Sequence, residues 1–224
     1  MPVVFIDVAQ QCAPQIAVET LAAVVSVESG FNPLAIRINS DYPLADQPAN
    51  KAEAIETASI LIAEGHDVDL GLAGISSGNL ARLGLSISDA FDLCLNLKAS
   101  ASLLDGYYRA AIEGGATKTQ AERVMLRSYY GHGEGSLGEM VGYDARVLAE
   151  RQRLAGRLQN IEFSEEQAND LPRRERAGKL AVSSNADANP EQSQSRSEPP
   201  APRWDVFNSG RSSSVLVFSN EQQE

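Results

Sequence analysis

Apolar residues recur at helical spacing in one segment after another as far as Leu154, and there the pattern stops. From Pro14 to about Glu28 the spacing predicts a helix, with Gly30 and Pro33 as its end signals. Residues 34–50, with Pro43 and Pro48, read as a loop. Asn50 and Glu53 form a capping-box pair that opens a helix through Ile55, Ala58, Leu61 and Ile62, closed at Gly65. Val68, Leu70 and Leu72 alternate with Asp69 and Gly71, the period of a short strand or hairpin. Ser77-Gly78-Asn79 then turns into a brief helix near Leu80 to Leu83. Asp92 is a candidate N-cap for a longer helix carrying Leu93, Leu97, Ala101, Leu104, Tyr108 and Ile112, stopped by Gly114-Gly115. Thr119 and Glu122 form a second capping-box pair, ahead of Val124, Met125 and Tyr129. After the glycine-rich stretch Gly131–Gly135, a last helix is expected through Met140, Val141, Asp144, Val147 and Leu148 towards Leu154. The expectation is a mainly α domain over residues 1–160 with one small β element.

Beyond that point the composition changes. Residues 164–203 carry few large apolar side chains and five of the ten prolines. Such a segment cannot bury enough surface to offset its ordering entropy, so residues 161–203 read as a disordered linker. Within 204–224, Trp204–Phe207 and Val215–Phe218 are isolated apolar clusters, either unstructured tail or a short segment that docks on a partner. A net charge of −11 argues against nucleic acid or an anionic lipid surface as the main partner, and no stretch has the length of a transmembrane helix. Met1–Asp7 has no basic residue and its short apolar run is broken by Asp7, so it does not read as a signal peptide. The cysteines, Cys12 and Cys94, are two buried thiols or one disulfide, and the sequence leaves both open. His66 and His132 stand alone and no pair of residues has metal-ligand spacing, so neither a metal nor another cofactor is expected.

Glu28 is the residue that does not fit a plain helical bundle. Leu21, Val24 and Val25 lie seven, four and three positions before it, so it continues the apolar stripe of its helix. It also falls in the last turn, at the negative end of the helix dipole. Burial and the dipole both penalise ionisation, which makes Glu28 a candidate general acid; a solvated glutamate at a frayed helix end is the other reading of the same residues.

Three stretches in order resemble the lytic transglycosylases, and specifically the VirB-type enzymes of type IV secretion systems. Glu28-Ser29-Gly30-Phe31-Asn32-Pro33 is similar to an ESxFxP-type catalytic motif. Gly71-Leu72-Ala73-Gly74-Ile75-Ser76 is similar to the GLxQIN motif of the saccharide groove. Ser128-Tyr129-Tyr130-Gly131 stands where that family has an AYN-type motif. The resemblance implies a lysozyme-like SLT fold, cleavage of the MurNAc–GlcNAc β-1,4 bond of peptidoglycan with a 1,6-anhydro product, and a periplasmic location. It also implies glycan strands and secretion-system proteins as partners. Carried over residue by residue, Glu28 is catalytic, and Ser29, Phe31, Gly71, Leu72, Gly74, Ile75, Ser76, Tyr129 and Tyr130 bind substrate, with Tyr129 holding the glutamate.

Gly74 and Ser76 depart from the glutamine and asparagine of the groove motif, and Tyr130 from the asparagine of the third. Each change removes an amide that can both donate and accept. An alternative reading follows from them: a transglycosylase-like module that holds peptidoglycan within the secretion assembly and catalyses little. Asp69 is the nearest candidate for a second carboxylate, and reads equally as a strand residue facing solvent.

Overall fold

The computed structural model describes residues 2–39, 43–164 and 167. The described residues belong to one compact unit. Apart from Gln167, the expected linker beyond Ser164 and the apolar clusters of 204–224 lie outside the described residues.

The architecture is mainly helical, as the spacing predicts. In chain order it runs β1 (Val3–Val4), α1 (Phe5–Cys12), α2 (Val18–Ser29), β2 (Ile36–Ile38), α3 (Lys51–Ala63), β3 (Val68–Leu70) and β4 (Ile75–Ser76). Then follow α4 (Leu80–Leu83), α5 (Ile87–Ala90), α6 (Leu93–Glu113), α7 (Lys118–Tyr130), α8 (Gly135–Met140), α9 (Tyr143–Leu154) and β5 (Glu162–Phe163). Among the described residues the strands form two small sheets. β1 pairs antiparallel with β5, and β2, β3 and β4 form an antiparallel sheet in that order. Because Phe163 pairs with Val3 and is buried, the folded body continues past residue 160.

α2 runs through the core, with Leu21, Ala22, Ala23, Val24 and Val25 fully buried. α6, 21 residues and therefore about 30 Å long, packs against α7 and α1 and carries Leu93, Leu97, Ala101 and Leu104 inward. Local capping chemistry fixes several helix starts. Asn50 Oδ1 accepts from the Glu53 N–H at 3.0 Å, and Asp92 Oδ1 from the Leu95 N–H at 2.7 Å.

Three local expectations are corrected. The capping box of α7 is Thr117 with Gln120, two residues earlier than Thr119 with Glu122. Both spacings satisfy the pattern, but the chain leaves the Gly114-Gly115 stop directly into Thr117. The helix expected from Met140 to Leu154 is broken at Gly142, whose φ of 63° ends α8 and starts α9. Residues 34–50 are not wholly loop, since Ile36–Ile38 is a strand.

Cys12 at the end of α1 and Cys94 in the first turn of α6 are joined as a disulfide, closing a separation of 82 residues. Removing so long a closed loop from the unfolded chain stabilises the fold by about 2–4 kcal/mol. Thermal unfolding with and without dithiothreitol is therefore expected to show a clear drop in midpoint on reduction. An unchanged midpoint would mean that the bridge adds nothing to α1–α6 packing.

Candidate active site

α2 delivers Glu28 to the floor of a cleft. Gly30, with φ at 60°, caps the helix through its N–H to Ser26 O at 3.1 Å, and Phe31 follows with φ at 69°. A bulky residue at positive φ is strained, and the cost is met by packing: the Phe31 ring sits edge-on to Phe5, centroids 5.3 Å apart. The chain thus turns away from α2 directly after Glu28, leaving the carboxylate facing the cleft rather than the next helical turn. A cavity of about 290 Å³ opens there, lined by Glu28, Ser29, Asn32, Arg37, Leu44 and Gln47.

The Glu28 side chain is only 2% exposed. Its Oε1 accepts from the Tyr143 hydroxyl at 2.5 Å. Its Oε2 lies 2.9 Å from Arg37 Nη2, close enough for an ion pair but misdirected for a hydrogen bond. Burial raises the pKa of Glu28; Arg37 and then Tyr143 work against it without cancelling it. The result is a carboxyl that keeps its proton above the usual glutamate range.

Arg37 and Asp69 face each other in register across β2 and β3, so both side chains leave the sheet on one face. Arg37 donates to Asp69 Oδ2 from Nε at 3.1 Å and from Nη2 at 2.6 Å. His132 Nε2 stands 3.5 Å from Asp69 Oδ1, an ion-pair distance. Burial opposes ionisation of Asp69, but His132 and Arg37 outweigh it and hold the carboxyl below its usual range. The same pairing raises the pKa of His132. Asp69 is therefore a buried, charged residue, 2% exposed, and not a strand residue facing solvent.

The residues singled out from the sequence fall into two groups. Gly74 borders Glu28 directly: a Cβ there would lie 2.9 Å from Glu28 Oε2. Tyr130 packs on the Tyr143 ring, centroids 5.1 Å apart. The others build the walls. Ser29 donates its hydroxyl to Leu72 O at 2.5 Å, tying α2 to the β3–β4 turn. Gly71 allows that turn to press against Ala90 O, which a Cβ would meet at 2.0 Å. Leu72 and Ile75 are buried in the core, so the stretch offers backbone rather than those side chains to the cleft. The Ser76 hydroxyl accepts from the Gly78 N–H at 3.3 Å, capping the turn that follows β4.

The tyrosine that holds Glu28 is Tyr143 and not Tyr129, whose hydroxyl donates instead to Ala73 O at 2.8 Å. Tyr143 is the first residue of α9, and its neighbour Asp144 is clamped by Arg123 at 2.7 Å and Arg127 at 3.2 Å, both on α7. Arg37, Tyr143 and His132 were not picked out by sequence reasoning. Only the alternation of Ile36-Arg37-Ile38 against Val68-Asp69-Leu70 carries a signal for the first.

Chemically the cleft presents a shielded acid, one tyrosyl donor and a charge-balanced Arg–Asp–His chain. Among the described residues no group of three or more His, Cys, Asp or Glu side chains is placed to hold a metal ion, and no helix is long and apolar enough to cross a membrane.

The family description "Transglycosylase SLT domain" matches residues 7–149, a span that includes every residue of the cleft from Glu28 to Tyr143. The chain is similar to "Type IV secretion system protein virB1" of Brucella abortus biovar 1 (strain 9-941), 46% identical over 127 residues, 56% of this chain and 53% of that protein. It is similar to "Protein virB1" of Agrobacterium fabrum (strain C58 / ATCC 33970), 33% identical over 67% of this chain and 60% of the relative. "Protein virB1" of Rhizobium radiobacter is 32% identical over 69% of this chain and 63% of its own length. The chain thus spans between about half and two thirds of the length of these curated relatives. No solved structure matches it.

Proposed function

We infer the reaction from one premise: this chain belongs to the transglycosylase SLT domain family. We propose that it is a peptidoglycan lytic transglycosylase that cleaves the MurNAc–GlcNAc β-1,4 bond and leaves a 1,6-anhydro end. Its place would be the periplasm, opening the wall locally for a type IV secretion system, as the names of its virB1 relatives favour. The observation that carries the reading is Glu28, a buried carboxyl at the cleft that keeps its proton.

Glu28 gives that proton to the bridging oxygen as the bond from C1 of the muramoyl sugar breaks and positive charge develops at C1. The carboxylate so formed then takes the proton of the C6 hydroxyl, whose oxygen closes on C1. Intramolecular attack is worth an effective concentration of about 10⁵ M or more, so no separate nucleophile is required. Asp69 is committed to Arg37 and His132 and presents no free carboxylate for that role. Mass spectrometry of digested sacculi tests the reading: 1,6-anhydromuropeptides are expected, and reducing ends alone would replace it with a hydrolytic muramidase.

A second reading, a glycan-holding assembly module with little turnover, is favoured by Arg37 resting against Glu28 Oε2, an arrangement suited to a carboxylate. Absence of any soluble product, with sacculi still bound, would select it. Restoring the groove glutamine is no test of it. At Gly74, φ is 66°, and a side chain would press its Cβ onto Glu28 Oε2. Gly74→Gln is therefore expected to lower product release, by about 10- to 100-fold for a displaced acid. A rise in release on that substitution would show that Glu28 has room to move.

A further inference from the structure

Arg37 sits where an acid that must also act as a base needs help. Nη2 lies 2.9 Å from Glu28 Oε2 and 2.6 Å from Asp69 Oδ2, so two carboxyl groups share one nitrogen. Nε adds a second bond to the same Asp69 oxygen, which fixes the guanidinium in place. The cross-strand register of β2 and β3 sets this geometry, and Arg37 stays 41% exposed towards the cleft. Glu28 Oε2 has no hydrogen-bond donor and no contact with solvent, and Tyr143 occupies Oε1. When Glu28 gives its proton away, the new negative charge appears beside Arg37 Nη2, in a place that water does not reach. An isolated carboxylate there would be costly, and the proton would be held too tightly to leave.

We propose that Arg37 is the positioning residue that serves as counter-ion to the Glu28 carboxylate formed on proton transfer, with Asp69 holding it in place and limiting how much of its charge reaches Glu28. The inference rests on the reading of Glu28 as the acid. Arg37 is not a catalytic residue in this scheme; it acts through Glu28. The balance is local. Arg37 comes from β2, Asp69 from β3, Tyr143 and Arg146 from α9 and Tyr129 from α7, while His132 acts through Asp69. Arg37, Tyr143 and Arg146 favour the charged form of Glu28 and Asp69 disfavours it. Removing Arg37 and removing the charge of Asp69 must then move Glu28 in opposite directions, which no loss of packing would do.

The test is a ¹³C NMR titration of the Glu28 carboxyl in the full chain, assigned by its disappearance in Glu28→Gln, together with the pH profile of product release. Arg37→Met is expected to move the titration and the alkaline limb of the profile up by about one pH unit or more. Arg37→Lys, which keeps a point charge, is expected to stay within about half a unit of wild type. Asp69→Asn, which keeps an oxygen acceptor for the guanidinium, is expected to move both down. The proposal is overturned if Arg37→Met leaves the titration in place while activity falls, or if Arg37→Met and Asp69→Asn move it in the same direction. Because the titration needs no turnover, a flat response rejects the role of Arg37 whatever the products are. Failure of the reaction itself would instead show in the products of the wild type.

Discussion

Glu28→Gln is expected to reduce the release of 1,6-anhydromuropeptides by at least about 10³-fold, since general acid–base catalysis alone contributes 10²–10⁴ and the proposed reaction uses Glu28 in both steps. The substitution is nearly isosteric. The amide oxygen can still accept from Tyr143, and Arg37 keeps both of its bonds to Asp69. Folding should therefore survive, and a thermal midpoint close to wild type is part of the expected result. Residual release above a tenth of wild type, with folding intact, would remove Glu28 from the mechanism. The pH profile gives the same residue a second signature. In the proposed reaction the active form is the protonated one, and burial raises the Glu28 pKa, so activity should persist above the usual glutamate range and decline as pH rises through the shifted value. An alkaline limb at the value of a free glutamate would contradict the burial of the carboxyl.

What was legible in the sequence was what depends on neighbours a few residues apart. The stripe of Leu21, Val24 and Val25 with Gly30 behind it placed Glu28 at the end of a buried helix, because helical periodicity and a left-handed cap are local properties. Asn50 and Asp92 were readable for the same reason, each closing a bond to a backbone three residues on. Thr117 was missed because two overlapping pairs satisfied one spacing rule. Gly142 was missed because apolar residues on both sides keep the helical period while the backbone does not. The partners of Glu28 lay further off. Tyr143 is 115 residues away, and the packing of α9 on α2, together with the α7 clamp on Asp144, brings it to the carboxylate. Arg37 and Asp69 meet through a strand register that no alternation over three residues fixes by itself. A tyrosine in the expected motif position, Tyr129, proved to support the groove backbone instead.

Asn96→Ala is expected to cost about 3–5 kcal/mol of folding stability, because it strands three buried backbone groups at once. Asn96 lies on α6 among Leu93, Leu97 and Ser100, fully buried, where a polar side chain survives only if every atom is paired. Its Nδ2 donates to Leu70 O at 3.0 Å and to Ala90 O at 2.7 Å, and its Oδ1 accepts from the Ala73 N–H at 2.8 Å. One amide thus fastens the end of β3, the turn that follows it and the end of α5 to the central helix. That turn carries Gly74 against Glu28, and its Ala73 carbonyl receives Tyr129, so the acid's wall depends on Asn96 at one remove. Asn96→Asp separates the bonds from the shape. A carboxylate can still accept from Ala73 but sets its second oxygen against two carbonyls, so it should be at least as unstable as the alanine variant. Urea unfolding of the three proteins measures this directly. An alanine variant within about 1 kcal/mol of wild type, or an aspartate variant more stable than it, would mean that water or a shifted turn replaces these bonds.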